Sequence, residues 1–451
     1  MEETQLKWLT KELVQKDKTR RKRSEEEYRK FEYAVSYIAD RALLACVPSR
    51  LGTTRISKDR NRYTQNRYND KDLAFRPAIE QAFPLMVEGN FITVERNGSY
   101  DRETRRGKQT EIRATEKLIS FVGDDLKYAP CRLARKPIPE VIRVHGPDKR
   151  PIDYTDDERT REWRDNLRLI NECVVLSWAD LNLTNHEWSL VEEELKSDPK
   201  HDYRPIDLSR QQLVRIFNST KFNEGGRFYW GWWQNIPSRF RSCIHINGKQ
   251  TVELDYRQLN PTILYALAGV SLHGDAYEVG LGPHHRDLVK QAFNAMVQSS
   301  RVLTRPPRGL EFPKNSCVTW RDLVSRIQAK HSPISDMFFK GLGMKLQFED
   351  SCVAEKVMLH FAKIGAAILP IHDSFICHWG YQQELEDVMC DAFEEQFGVK
   401  ARIKLEEKKY LEVSIKPLGE IFEDISFDRI VGEGNPYWDV MMRSHWQPEK
   451  G

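Results

Sequence analysis

The chain has no run of about 18 consecutive apolar residues, so it offers no membrane-spanning helix. Its N-terminus, Met1-Glu2-Glu3-Thr4, opens on acids and lacks the apolar segment of a secretion signal. The 8 cysteines are scattered, with no Cys-x-x-Cys pair. That pattern argues against a zinc site and for reduced thiols in a cytosolic protein. No internal repeat is visible. Net charge is scarce too: 70 Lys and Arg against 67 Asp and Glu leave only +3, too little for a protein that coats nucleic acid indiscriminately. What is present is ordinary: 451 residues, 40% hydrophobic and 30% charged, the composition of a soluble globular protein of two or three domains with a sizeable core.

Positive charge is local instead. Lys18-Thr19-Arg20-Arg21-Lys22-Arg23 is followed by Glu25-Glu26-Glu27, which reads either as a phosphate-steering patch or as a solvated helix with i, i+4 ion pairs. Further basic clusters lie at Arg102–Arg113, with Arg105, Arg106 and Lys108, and at Arg301–Arg308. Residues 1–60 read as helical, with Phe31, Val35, Ile38, Ala42 and Ala45 at helical spacing. Residues 61–200 are mixed, with a loop expected over Gly146–Asp157 and a linker at Ser197–Asp202. Phe228-Tyr229-Trp230-Gly231-Trp232-Trp233 can stack bases or fill a core, and core is the expectation for most of these rings.

The most informative stretch is Thr251–Tyr256. It alternates apolar and polar residues, the period of a half-buried strand, and delivers Asp255 to a turn. A helix follows, with Leu259, Ile263, Leu264 and Leu267 at helical spacing and Pro261 in its first turn, where a missing N–H costs little. A second carboxylate, Asp373, comes 118 residues later in Ile368–Cys377, read as a strand–turn–strand hairpin with His372, Asp373 and Ser374 at the tip. Two aspartates brought together can hold two divalent cations and serve an in-line phosphoryl displacement. Pro283–Ser299 reads as a helix whose stripe Arg286, Lys290, Asn294 and Gln298 is spaced by four. Two cations in that register suit a triphosphate.

In this order the segments resemble the family A DNA polymerases. Asp255-Tyr256-Arg257-Gln258-Leu259 is similar to motif A, Arg286-x-x-x-Lys290 to motif B, and His372-Asp373-Ser374 to motif C. Gly226-Arg227, Gln234-Asn235-Ile236-Pro237 and Arg241 resemble the segment that approaches the primer–template, and Asp275 falls where the family has an Asp after the motif A helix. The likeness covers residues 215 to 415. Asn260 stands where the family carries the glutamate that helps exclude a 2′-hydroxyl, and Asn294 aligns with the aromatic position of motif B. Ser374 replaces the usual motif C Glu, and His-Asp-Ser-Phe resembles the single-subunit, phage-type RNA polymerases that share this palm.

The resemblance implies an α+β right-hand polymerase with an antiparallel palm sheet, short helical fingers and a mainly helical N-terminal region. It divides the chain into 1–60 (basic, helical), 61–200 (thumb-like or nucleic-acid-binding) and 201–451 (palm and fingers). Asp255 and Asp373 would bind two Mg²⁺ (or Mn²⁺) ions, with the Tyr256 backbone carbonyl as a further ligand. Arg286, Lys290, Asn294 and Asn260 would meet the nucleotide. Arg227, Gln234, Asn235, His372 and Gln347 would meet the primer–template. Glu349 and Asp350 are expected at the surface. The implied partners are primed DNA, nucleoside triphosphates and replication accessory proteins, in the cytoplasm of a bacterial or phage-infected cell, and no membrane. Three alternatives remain: a primase or RNA polymerase on the same palm, a template-independent or self-priming enzyme, and a non-catalytic nucleic-acid-binding protein.

Overall fold

The computed structural model describes residues 3–17, 22–46, 52–57, 66–69, 76–101, 106–122, 137–177, 179–197, 206–208, 210–310, 312 and 318–406. Lys18–Arg21 of the first basic run, Arg102 and Arg105 of the second, and most of the expected linker at 197–202 lie outside the described residues.

The N-terminal elements are α1 (Glu3–Lys16), α2 (Glu25–Ala45), β1 (Thr54–Ile56), α3 (Arg76–Glu88), β2 (Ile92–Arg96), β3 (Ser99–Asp101), β4 (Arg106–Lys108), β5 (Thr110–Ala114) and α4 (Glu116–Val122). Helix α2 starts at a capping box. The Ser24 hydroxyl accepts from the Glu27 amide, and the Glu27 carboxylate accepts from the Ser24 amide, which satisfies two otherwise orphaned donors. Its apolar stripe buries Phe31, Val35, Ile38 and Ala42, as the spacing predicts, against the antiparallel sheet β1-β5-β2. The N-terminal region is therefore α+β: its strands cover the helices the sequence shows.

A second core runs through residues 68–393. Its elements are β6 (Ile142–His145), β7 (Pro151–Ile152), α5 (Glu158–Leu176), β8 (Ala179–Leu181), α6 (Asn185–Ser197), β9 (Val214–Phe217), β10 (Gly225–Tyr229), β11 (Ile244–Ile246), β12 (Lys249–Tyr256) and α7 (Leu259–Leu267). There follow α8 (Arg286–Gln298), α9 (Trp320–Lys330), α10 (Gly343–Lys363), β13 (Ile368–Ile371), β14 (Ser374–His378), α11 (Gln382–Phe397) and β15 (Ile403–Leu405). One antiparallel sheet runs β13-β14-β12-β11-β8, with β15 also paired to β12. A second runs β10-β9-β6-β7, in which β6 and β9 are parallel. Among the described residues no helix is long and apolar enough to cross a membrane.

The strand at 251–256, the helices after it and at 283–299, and the hairpin at 368–377 form where their periodicities put them. Ser374 is the first residue of β14, so the tip is a two-residue turn of His372 and Asp373. Of the aromatic run, Phe228, Trp232 and Trp233 are buried while Trp230 is 39% exposed, in line with the expectation of core for most of it.

Candidate functional site

Strand β12 places Asp255 one residue from its end, and the following side chain fixes that end: the buried Tyr256 hydroxyl donates to the Met389 carbonyl of α11 at 2.7 Å. Asp255 stands opposite Ser374 in the β12–β14 ladder. Asp373 precedes Ser374 in the turn, so sheet register brings the two aspartates side by side. His372, which forms the other half of the turn, has φ +57. That conformation is costly for most side chains and common in tight turns. The turn is braced from below: the Ser374 hydroxyl donates to Glu253 at 2.7 Å, and Arg241 donates to the same oxygen at 3.1 Å.

Neither the Asp255 nor the Asp373 carboxylate makes a hydrogen bond or ion pair among the described residues. The electrostatic consequence is large. Burial, then repulsion from Asp373, Glu406 and Glu253, pushes the Asp255 carboxyl up to about 8, with Lys290 of α8 acting the other way. Among the described residues no cation touches either carboxylate, although Lys290 and Arg227 act on them through space. Hard, partly desolvated oxygen donors that repel one another fit a hard divalent cation, and Mg²⁺ in particular needs few protein carboxylates because it keeps waters and shares substrate phosphates. Among the described residues no group of three or more His, Cys, Asp or Glu side chains is arranged around a common metal position.

Asp350 corrects the expectation of surface placement. It lies on α10, is 4% exposed, and accepts from Arg227 Nε at 2.6 Å. Burial raises its carboxyl to about 6, with Arg227 opposing the rise and Asp373 adding to it. Glu349 is half-buried and accepts from Gln396 at 3.1 Å. Arg227 therefore lies between a buried carboxylate and the field of Asp373. The missed signal was periodic: Leu346, Asp350, Val353, Val357 and Phe361 form one helical stripe, so Asp350 shares the buried face. Next to it a second pair is more deeply enclosed. Arg215, 0% exposed, binds Glu355 at 2.5 Å, Ser351 at 3.1 Å and the Gly226 carbonyl at 2.9 Å.

The other candidates occupy varied settings. His372 packs edge-on to Tyr229 at 5.8 Å, and desolvation and Arg227 hold its imidazole below the usual range. Gln234 donates its amide to the Phe228 and Pro370 carbonyls at 2.9 and 3.1 Å, tying the strand that leads to Asp373 to the segment after β10. Asn235 is exposed and Gln347 is half-buried. Lys290 is exposed, with no ion pair among the described residues. Arg286 binds Asp275 at 2.7 Å and lies 5.1 Å from the Tyr277 ring. Asn260 donates to Asn294 at 3.0 Å, joining α7 to α8. Lys290 thus reaches Asp255 through its field, while Arg286 is engaged elsewhere.

No family model matches this chain, and no curated protein matches it. Among solved structures, the POL domain of Pol1 from M. smegmatis, in complex with DNA primer-template and dNTP, is similar with a TM-score of 0.32 and 14% identity. The match covers 49% of this chain and 50% of that one, so it spans half the length of the solved relative. It is a distant likeness, too remote to assign a function.

Proposed function

We propose that the chain catalyses template-directed nucleotidyl transfer, joining a nucleoside triphosphate to the 3′-hydroxyl of a primer on DNA. The observation that carries this reading is the pair of carboxylates, Asp255 and Asp373, left without a protein cation in contact, with the Asp255 carboxyl raised to about 8. In this reading the sheet around β12 is the palm, α8 and α9 are short fingers, and residues 1–60 and 61–200 serve the nucleic acid. Asp255, Asp373 and the Tyr256 carbonyl hold two Mg²⁺ ions. When bound, these supply charge neutralisation at the 3′-hydroxyl and the departing pyrophosphate.

This chain's own residues do the rest. Lys290, exposed on α8 and without an ion pair among the described residues, approaches the triphosphate. Arg286 joins it if the incoming phosphates draw the guanidinium from Asp275. Arg227, held by Asp350, and His372 face the primer end beside Asp373. Gln234, Asn235 and Gln347 lie along the route of the primer–template. Asn260 and Asn294, bonded to each other, border the sugar. That amide pair supports a second reading in which ribonucleotides are used, because Asn260 stands where the resembled family carries the glutamate that helps exclude a 2′-hydroxyl.

The test is incorporation on a primed DNA template with Mg²⁺, comparing deoxy- and ribonucleotides with and without primer. Asp255→Asn and Asp373→Asn should each lower the rate on the order of 10³-fold or more, while the affinity for primed DNA stays within a few-fold. Synthesis by purified Asp373→Asn protein at a comparable rate would sink the assignment. Primer-independent ribonucleotide synthesis by the unmodified chain would move it to the second reading.

A further inference from the structure

Trp230 combines three features that the reading above does not use. It is a bulky aromatic at φ +86, a backbone conformation that such a side chain rarely adopts. It is 39% exposed although its neighbours Trp232 and Trp233 are in the core. Its ring is stacked on a guanidinium: Arg143 of β6 lies 4.2 Å from the Trp230 ring centroid. Among the described residues Trp230 has no other aromatic or cationic contact, so one face of its ring is occupied.

The support beneath it is unusual. Arg143 is 8% exposed and, among the described residues, no carboxylate pairs with it. Its Nε has no hydrogen-bond partner, and its Nη2 reaches only the Tyr68 carbonyl at a long 3.4 Å. The Tyr68 ring lies 5.0 Å away. A buried cation normally has a carboxylate, because an unpaired buried charge is costly. Nearby Glu140 is already committed to Arg164 at 3.0 Å. Arg143 therefore has one long hydrogen bond and two π-systems as partial partners, and charge left over for an anion at the edge of the ring.

Register places this pedestal beside the candidate site. Arg143 pairs with Ile216 of β9, and Ile216 pairs with Arg227 of β10. Residues in lateral register share a face, so Arg143 and Arg227 lie in one row two strand spacings apart, roughly 10 Å. Tyr229 follows on the same face of β10 and touches His372 in the turn that carries Asp373. Two arginines and two aromatic rings thus lie along a single sheet face that ends at the catalytic turn.

We propose that Trp230, held on Arg143, is a stacking platform for an unpaired nucleobase of a single-stranded nucleic acid, with Arg143 and Arg227 serving the flanking phosphates. The proposal deepens the polymerase reading, by naming where single strand enters the site, and rests on it for the identity of the ligand. Base–aromatic stacking tolerates any sequence because every base has a π-face. The platform therefore suits a strand that is read elsewhere by base pairing.

The experiment measures binding of full-length protein to a labelled oligo(dT) by fluorescence anisotropy, in EDTA and without nucleotides, so that no catalysis is required. A second probe is the same strand carrying one 2-aminopurine, whose emission falls on stacking. Trp230→Ala should weaken oligo(dT) binding by about ten-fold and abolish the 2-aminopurine change. Trp230→Phe should keep both within about three-fold, which rules out a folding defect at this position. Arg143→Met should weaken binding, and the double variant should be weaker than Trp230→Ala alone but by less than the sum of the two single losses, because Arg143 both supports the ring and meets a phosphate. Wild-type affinity and wild-type 2-aminopurine response in Trp230→Ala overturn the proposal, whatever the polymerase assay gives. Trp230-dependent binding by a protein that incorporates no nucleotide keeps the platform and removes the polymerase reading.

Discussion

Arg215→Met is the substitution with the clearest arithmetic. Arg215 is 0% exposed and has four hydrogen-bond partners: the Glu355 carboxylate at 2.5 Å, the Ser351 hydroxyl at 3.1 Å, the Gly226 carbonyl at 2.9 Å and the Cys352 sulfur at 3.8 Å. Its guanidinium also lies 4.6 Å from the Trp163 ring. Methionine fills similar space but leaves Glu355 enclosed with, among the described residues, a single donor, Asn166 at 3.1 Å. Breaking a buried pair from one side costs about 3–5 kcal/mol, most of it the penalty of the stranded charge. In urea this corresponds to a midpoint lowered by about 1–2 M. Removing both charges, as in Arg215→Met with Glu355→Leu, should restore about half or more of that loss. The site should respond as well, because Gly226 and Ser351 are the chain neighbours of Arg227 and Asp350. The assay is urea unfolding followed by tryptophan fluorescence for the two single variants and the double. Additive single effects, or a shift below about 0.5 kcal/mol for Arg215→Met, would refute the idea that this pair docks α10 onto β9 and β10.

Other expectations follow from the same geometry. In cation-free protein Asp255 carries a carboxyl raised from 3.8 to about 8. An acid whose folded value exceeds its unfolded one is a burden only when ionised, so thermal stability should fall as pH rises from about 4 towards about 8. Asp255→Asn should remove most of that fall, and melting curves of both proteins across the range check it. Asp350→Asn leaves Arg227 with Asp373 as its remaining carboxylate, and should raise the Mg²⁺ concentration for half-maximal incorporation by about ten-fold. An unchanged Mg²⁺ titration would refute this. Gly226→Ala should destabilise by about 2 kcal/mol or more, since φ is +81 and a Cβ would stand 2.8 Å from both the Phe217 ring and the Ser351 hydroxyl. Chemical denaturation reads this out directly.

The sequence carried whatever depends on local period. Thr251–Tyr256 alternates and is a strand, Arg286–Gln298 repeats by four and is a helix, and Pro261 marks a first turn. The same reasoning failed for Asp350, because composition puts a carboxylate outside, and its partner Arg227 is 123 positions away along the chain. It could not foresee β1, which is only Thr54–Ile56 and exists because β5 pairs with it. Nor could it separate Trp230 from the buried tryptophans beside it, since five rings in six positions give no phase.

Asp255 at a strand end, Asp373 in a hairpin turn and a cationic stripe on a helix were thus determined by the sequence alone. Each rests on side-chain alternation or spacing within about a dozen residues, where backbone geometry leaves little choice. Their meeting was decided by tertiary structure. The β12–β14 register sets Asp255 opposite Ser374, and burial with Asp373, Glu406 and Glu253 nearby raises its carboxyl. Pairing across the sheet and withdrawal from water are properties of neighbours far apart in the chain, and no local pattern encodes them.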